Sequence, residues 1–377
     1  MVNRIFSLFL VFIISLTCMP IISYGADITV SAESAIVMIA HTGQVVYEKN
    51  AYEKRGMAST TKIMSSVVAL ENGDIYSKIK VSYDDINVEG TSLGLKAGDT
   101  VDLLSLIKGM LISSGNDSAN VTATLVGGDK AAFVEMMNLK ARELGMDSTS
   151  FKNPSGLTEE GHYSTAYDMA LLGSYAIKNR IFRNICSSSV CTVSFGNPVS
   201  RREIYNHNKF LTMYDGAFGI KTGFTKASGR CLVTAAERNG VTLVAVTLNA
   251  PDDWNDHIRM MDYAFGRVKV HTISVDCPYI DVVGSQNRRI STHTLSSIDI
   301  PYVDVIPEYT VSFYTDRFVY AGIKVNDYIG YVELSFSDKI IVREYILSSE
   351  DAEIYVPQSS DITFLEKVKK FLRKGLS

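Results

Sequence analysis

The chain has 377 residues, 46% of them hydrophobic, with only 8 prolines and no low-complexity tract. That composition excludes a disordered protein and leaves room for more than one packed domain. Its 37 basic and 41 acidic side chains give a net charge of -4, and no basic block precedes the far C-terminus, so nucleic acid is not an expected partner.

At the N-terminus, Arg4 precedes an apolar run from Ile5 to Leu16, and Ser23 and Gly25 offer the small residues a signal peptidase accepts. Residues 1–25 are therefore expected to be a cleaved secretory signal. A retained membrane helix fits less well, because Cys18 and Pro20 leave the run short of about 18 residues. Thr17 also argues against lipidation of Cys18. Export permits the remaining cysteines, Cys186, Cys191, Cys231 and Cys277, to pair. Only Cys186 and Cys191 are close enough for a local disulfide, which the sequence leaves open. A zinc site would want a second close pair of ligands that is lacking. Cys231, inside CLVTAA, reads as core.

In chain order, AIVMIAHTGQVVYEK reads as two strands turning at His41 to Gly43. IMSSVVALENG has helical apolar spacing that stops at Asn72-Gly73, which places Ser59 at a helix start. Further helices are predicted at Val101 to Leu111, Ala119 to Val126, Ala131 to Leu144, and Ala166 to Ile177, the last with Thr165 and Asp168 spaced as a capping box. From Phe218 the pattern turns to β, and RCLVTAAER and VTLVAVTL form a hairpin around Asn239-Gly240. A helix follows from Trp254 to Phe265. After about Val268, short Val-, Ile-, Tyr- and Thr-rich runs without helical period predict a small all-β, sandwich-like domain. The expected fold class is α+β, an antiparallel sheet with helices packed around it followed by the β domain. The expected boundaries are 1–25 for the signal, 26–268 and 269–356 for the domains, and 357–377 for a basic tail.

The stretch MASTTKIM sets Ser59 three residues before Lys62. A serine hydroxyl reacts only with a base in hydrogen-bond reach, and residues three apart on a helix share a face. The N–H groups of a helix start also favour an oxyanion. The bland alternative is a capping run, Ser59 to Thr61, beside a solvated lysine. S-x-x-K alone carries little, since Ser105 and Lys108 match it too. The pattern gains weight from SGN at Ser114 to Asn116, in a break between helices, and KTG at Lys221 to Gly223, expected at a strand beginning. Together they match the S-x-x-K, S-x-N, K-T-G set of penicillin-binding proteins and class A β-lactamases.

Rival motifs are weaker. Gly90 to Gly94 satisfies G-x-S-x-G around Ser92, but LKAGD follows where a nucleophile elbow needs a helix. The six histidines, His41, His162, His207, His257, His271 and His293, lack ligand spacing, so they read as structural, with no metal and no cofactor implied. Asn206-His207-Asn208 reads as a turn or as cleft lining.

MASTTKIMS, GTSLGLKAGD, LISSGNDSAN, MNLKARELGM, FKNPSGL, HYSTAYDMALL and GIKTGFTKASGRCLV resemble, in order, the D-alanyl-D-alanine carboxypeptidases of low molecular mass penicillin-binding type. The likeness runs from roughly Ala35 to Phe265 and, less specifically, into AGIKVNDYIGYVELSFSDKIIVREYIL. It implies a serine β-lactamase/DD-peptidase-like catalytic domain acting on peptidoglycan stem peptides and acylated by β-lactam antibiotics. It implies Ser59 as nucleophile, Lys62 as base and Ser114 as proton relay. It gives Asn116, Lys221, Thr222 and Gly223 to substrate binding, with Lys221 and Thr222 on the terminal carboxylate, and the backbone N–H of Ser59 and Phe224 to the oxyanion hole. Two other classes stay open: a β-lactamase-like hydrolase, although the usual E-x-x-L-N pentapeptide is absent, and a catalytically silent wall-binding protein. In the tail, Phe364, Leu365, Val368, Phe371 and Leu372 share one helical face, against Lys367, Lys369, Lys370, Arg373 and Lys374 with Glu366. Such a helix suits an anionic membrane surface, and together with the secretory signal it implies an exported protein on the extracytoplasmic face of the cell membrane.

Overall fold

The computed structural model describes residues 28–336, 339–356 and 365–370. The expected signal with Cys18 lies outside the described residues, as do Phe364, Phe371, Leu372, Arg373 and Lys374 of the tail.

The first strands are β1 (Ser34–Ile39) and β2 (Val45–Lys49), turning at Gly43. A 3-10 turn (Ala58–Thr61) leads into α1 (Lys62–Asn72). Then come β3 (Lys78–Lys80), α2 (Tyr83–Ile86), β4 (Thr100–Asp102), α3 (Leu103–Leu111), α4 (Asn116–Gly127), α5 (Lys130–Glu143), α6 (Ala166–Ala176) and α7 (Arg180–Cys186). A hairpin of β5 (Val190–Gly196) and β6 (Val199–Tyr205), the short α8 (Phe210–Met213), β7 (Ala217–Thr225), β8 (Gly229–Arg238), β9 (Val241–Leu248) and α9 (Asp253–Arg267) complete this part.

The last three strands return to the first two, giving an antiparallel sheet in the order β2-β1-β9-β8-β7. Strand alternation sorts its side chains onto two cores. Ile36 and Met38 of β1 with Val244 and Val246 of β9 face α1, α3 and α6, whereas Val37, Ile39, Leu243 and Ala245 face α9. Covered on both sides, β1 and β9 are buried throughout, so neither shows the apolar–polar alternation of a half-exposed strand. β7 and β2 are left as the edge strands.

The Asn239-Gly240 turn forms as expected, with both residues at positive φ between paired Arg238 and Val241. Thr165 Oγ1 accepts from Asp168 N at 3.0 Å, while the Asp168 carboxylate accepts from Ser148 N and Thr149 Oγ1. Other expectations need correction. The helix expected from Val101 starts at Leu103, because β4 occupies the residues before it and Asp102 caps the Ser105 N–H at 2.7 Å. The helix expected from Ala119 starts at Asn116. KTG lies inside β7, not at its beginning. α7 and the β5–β6 hairpin, which pairs through β4, were not foreseen. Cys186 and Cys191 are both free thiols. Cys186 closes α7 with Sγ against Phe218 O, while Cys191 lies in β5 opposite Ile204.

After α9, strands β10 (Lys269–Ile273), β11 (Ile280–Val283), β12 (Arg289–Ile290), β13 (Thr292–Thr294), β14 (Ile298–Tyr302), β15 (Thr310–Thr315), β16 (Phe318–Tyr320), β17 (Tyr328–Phe336) and β18 (Lys339–Ser348) form three small sheets. Their inward residues, among them Ile290, Ile300, Val332, Leu334 and Ile346, share a core separate from the other two.

Candidate active site

The 3-10 turn and the start of α1 place Ser59 and Lys62 side by side, with Lys62 Nζ 2.9 Å from Ser59 Oγ. Ala58, just before the serine, has φ 48, and Ser114 has φ 61. Non-glycine residues rarely adopt this left-handed region, and the surrounding packing must hold them there. Two glycines let backbone close in on the turn. At Gly156, whose φ is +86, an added Cβ would meet Ala58 O at 2.0 Å; at Gly223 it would stand 3.1 Å from Ser59 N and from Met57 O. The 153–156 loop and the free edge of β7 therefore press on either side of Ser59.

Lys62 is fully buried. Its Nζ also lies 2.7 Å from Asn116 Oδ1 and 2.6 Å from Ser155 O. The Asn116 amide is fixed in this sense because its Nδ2 donates to Glu89 O at 2.7 Å. A neutral amine has two N–H donors and one lone pair. With the two carbonyl oxygens taking the N–H groups, the lone pair is left for the Ser59 hydroxyl. Burial, then the like charge of Lys221, hold the Lys62 pKa well below the usual lysine range, with Asp117 acting the other way. The group in reach of the serine is thus an amine whose charged form is disfavoured.

Ser114 and Thr91 line the same cleft of about 370 Å³ as Ser59, together with Thr222, Gly223 and Phe224 on β7. Asn116 and Lys221 stand behind this lining. Lys221 is 1% exposed, donates to Thr222 O at 2.9 Å, and is brought down to about 7 by burial. Of Asn206-His207-Asn208, only His207 reaches the cleft; burial and Lys221 lower its pKa. Asn206 ties the turn to Cys186 O and Ser188 O, and Asn208 caps Phe210 N.

The rival serines are engaged elsewhere. Ser92 Oγ donates to Asp117 Oδ2 at 2.6 Å. The same carboxylate accepts the N–H groups of Leu93, Gly94 and Leu95, so GTSLGL is a loop gathered on Asp117. Asn116 N, in turn, donates to Thr91 O at 2.7 Å. Ser105 Oγ accepts from Ser194 N, and Lys108 from the same spurious motif donates to Thr192 O.

Several participants carried no motif. Ser155 contributes only a carbonyl. His162 accepts from Lys152 N at Nδ1, which leaves Nε2–H to donate to Thr61 Oγ1 at 2.9 Å, stapling the 152–156 loop to the turn of Ser59. Arg230, Asp253 and Trp254 form the far wall of the cleft. The stretch SGRC gave a signal for Arg230 only through its place opposite Phe224 in the hairpin.

Residues 22–252 match the family model described as D-alanyl-D-alanine carboxypeptidase, peptidase S11. The D-alanyl-D-alanine carboxypeptidase DacF of Bacillus subtilis is 34% identical over 256 residues, spanning 66% of this chain and 66% of that protein. DacB2 of Mycobacterium tuberculosis is 32% identical over 62% of this chain and 82% of its own. Among solved structures, the DD-transpeptidase of Streptomyces K15 superposes with a TM-score of 0.61 at 29% identity, over 64% of this chain and 99% of that one. A site built from Ser59, Lys62 and Ser114, in a fold shared with such enzymes and a sequence matched through all three triplets, leaves one conclusion: the chain belongs to the peptidase S11 family of serine-type D-alanyl-D-alanine carboxypeptidases.

Proposed function

We propose that the protein removes the terminal D-alanine from peptidoglycan stem pentapeptides through an acyl-enzyme on Ser59. The contact between Lys62 and Ser59, with the other bonding directions of the amine already taken, carries this reading. Lys62 accepts the hydroxyl proton as Oγ attacks the penultimate carbonyl. The backbone N–H groups of Ser59 and Phe224 receive the oxyanion. Ser114 passes a proton to the departing D-alanine, and water then attacks the ester to regenerate Ser59. The substrate lies along the free edge of β7 beside Thr222 and Gly223, while Asn116 and Lys221 support the site from behind. β-Lactams acylate the same serine.

Incubation of the mature protein with a pentapeptide ending in D-Ala-D-Ala should release one D-alanine per peptide, and a fluorescent penicillin should label Ser59. Ser59→Ala should abolish both; an adduct on Ser92 or Ser105 would sink the assignment. Rapid nitrocefin turnover would move the protein to the β-lactamases, and absence of any label would make it a silent wall binder.

Export through residues 1–25, a division at about residue 268, and surface attachment through residues 357–377 belong to the same reading. Among the described residues, no helix is long and apolar enough to cross a membrane. Leu365 and Val368 are 56% and 37% exposed, which leaves them available to lipid. Each basic residue near an anionic bilayer adds about 1 kcal/mol. Binding to anionic vesicles should therefore weaken with salt and with Phe371 and Leu372 changed to serine. Equal partitioning of the mature protein and a version ending at Ser360 would refute the anchor.

A further inference from the structure

A second cavity, of about 390 Å³, matches the catalytic cleft in size and shares none of its residues. It opens where the β1–β2 turn, α5 and α6 meet the β17–β18 hairpin. Gln44, at the end of that turn, fixes the junction: its Nε2–H donates to Val305 O at 3.0 Å and its Oε1 accepts from Val303 N at 3.2 Å. Junctions of this kind are preferred places for small ligands.

The walls are mostly aliphatic. Met38 of β1, Leu144 just after α5 and Leu171 of α6 line the cavity from one side, and Phe336, Ile340 and Ile341 of the hairpin line it from the other. Ile340 is 50% exposed, so apolar surface reaches the opening. Two observations then point to a ligand with a polar end. Ser174 on α6 lines the cavity at 7% exposure, yet among the described residues its hydroxyl reaches only Met38 Sδ, at 4.0 Å, a weak acceptor that does not replace water. Lys178 lines it too and makes no ion pair among the described residues. The one carboxylate of the lining, Glu143, is taken by Lys140 at 2.7 Å, and His41 is held neutral at pH 7 by burial and by Lys178. An uncompensated positive charge therefore stands over apolar walls. α6 also ends here, and its carbonyl pole opposes an anion, so an acid is held only through that lysine.

We propose that this cavity binds a fatty acid, with the acyl chain between Leu171 and Ile341 and the carboxylate on Lys178 and the Ser174 hydroxyl. Ser174 and Lys178 are four residues apart at the end of α6, close enough to share one carboxylate. Unbranched and flexible, an acyl chain fits walls of methionine, leucine and isoleucine. Because the two walls come from distant parts of the chain, the bound acid ties the β17–β18 hairpin to α6. The inference does not depend on the reaction proposed for Ser59.

The test is calorimetric titration of the full mature protein with decanoate, at pH 7 and below the micellar range. Saturable binding is expected, and excess decanoate should raise the melting temperature by several degrees. Decyltrimethylammonium, the same chain with the opposite charge, and acetate, the charge without the chain, should each bind about tenfold more weakly or worse. Lys178→Glu should weaken decanoate by about tenfold or more, the loss of a hydrogen bond to a charged group, and Ile340→Asp should do the same at the opening. Both residues are exposed, so both variants should fold. If either does not melt cooperatively, Lys178→Met, which removes only the charge, decides in its place. Penicillin should label the variants as fast as the wild type, and protein already acylated on Ser59 should bind decanoate unchanged, which separates this cavity from the cleft. No saturable binding by the wild type overturns the proposal. Full affinity in the Lys178 and Ile340 variants also overturns it, since decanoate then sits elsewhere, as on the basic tail. A protein that penicillin never labels would overturn the proposed reaction without touching these binding measurements.

Discussion

Replacing Lys62 with methionine separates its chemistry from its packing. The side chains are of similar length, and Lys62 is fully enclosed, so the apolar replacement fits the space. It leaves Asn116 Oδ1 and Ser155 O without the amine that lies 2.7 and 2.6 Å from them. Each orphaned buried acceptor costs about 1–3 kcal/mol, and removal of a buried amine offsets part of that sum. The expected net loss of stability is therefore small, about 1–3 kcal/mol, and the fold should survive. The chemical loss is much larger. No other base is within hydrogen-bond reach of Ser59 Oγ among the described residues, so general-base assistance disappears. That assistance is worth about 10²–10⁴ in rate. A thousandfold drop corresponds to about 4 kcal/mol of transition-state stabilisation. The second-order rate of acylation by a fluorescent penicillin, measured with the circular-dichroism melt of the same sample, reads both quantities. Acylation within tenfold of the wild type, in a protein that still melts cooperatively, would show that Lys62 does not take the proton.

Asp117 should behave as a positioning residue. Asp117→Ala frees the 92–95 loop held by its carboxylate, so acylation should fall about tenfold or more while the melting temperature drops by several degrees; an unchanged rate would contradict that role. Acid should destabilise the fold through two histidines. Burial lowers His257 to about 3 and His162 to about 4, both below the ordinary 6.5. The unfolded chain therefore takes up these protons first, and the stability that both residues contribute above pH 6.5 is lost progressively as pH falls toward 4 and 3. At pH 4.5 the two account for about 4–5 kcal/mol, visible as a lower guanidinium midpoint than at pH 7. A His257→Gln protein should lose about half of this pH dependence, and an equal dependence in that variant would place the acid sensitivity elsewhere.

The sequence was most readable where one local rule decides the outcome. Asn239-Gly240 dictates a two-residue turn, and Thr165 with Asp168 starts a helix, whatever surrounds them. It was least readable where tertiary contacts decide. β7 begins at Ala217 because it pairs with Ala236 across the sheet, so a run that seemed to start at KTG had already been extended for several residues. β5 carries Val190, Thr192 and Ser194 on its more exposed side and is a strand chiefly because β6 and β4 pair with it.

The site divides along the same line, and the division bears on how it works. The triplets announce Ser59, Lys62 and Ser114, yet nothing in S-x-x-K makes its lysine a base: Lys108, in the same motif on α3, is a surface amine bonded to Thr192 O. Lys62 differs because its surroundings differ. Burial removes its water and, with a second lysine nearby, disfavours its charge, while a carbonyl from Ser155 and the Asn116 amide turned by Glu89 lie within reach of its amine. The oxygens of Ser155 and Glu89 belong to the backbone, which any residue supplies, so substitution at Ser155 or Glu89 would leave them unchanged while movement of either loop would not. Gly156 and His162 gain their importance here. By holding the 152–156 loop against the turn of Ser59, they keep the carbonyl at 2.6 Å from the amine, and it is this distance that leaves the amine's remaining lone pair facing the serine.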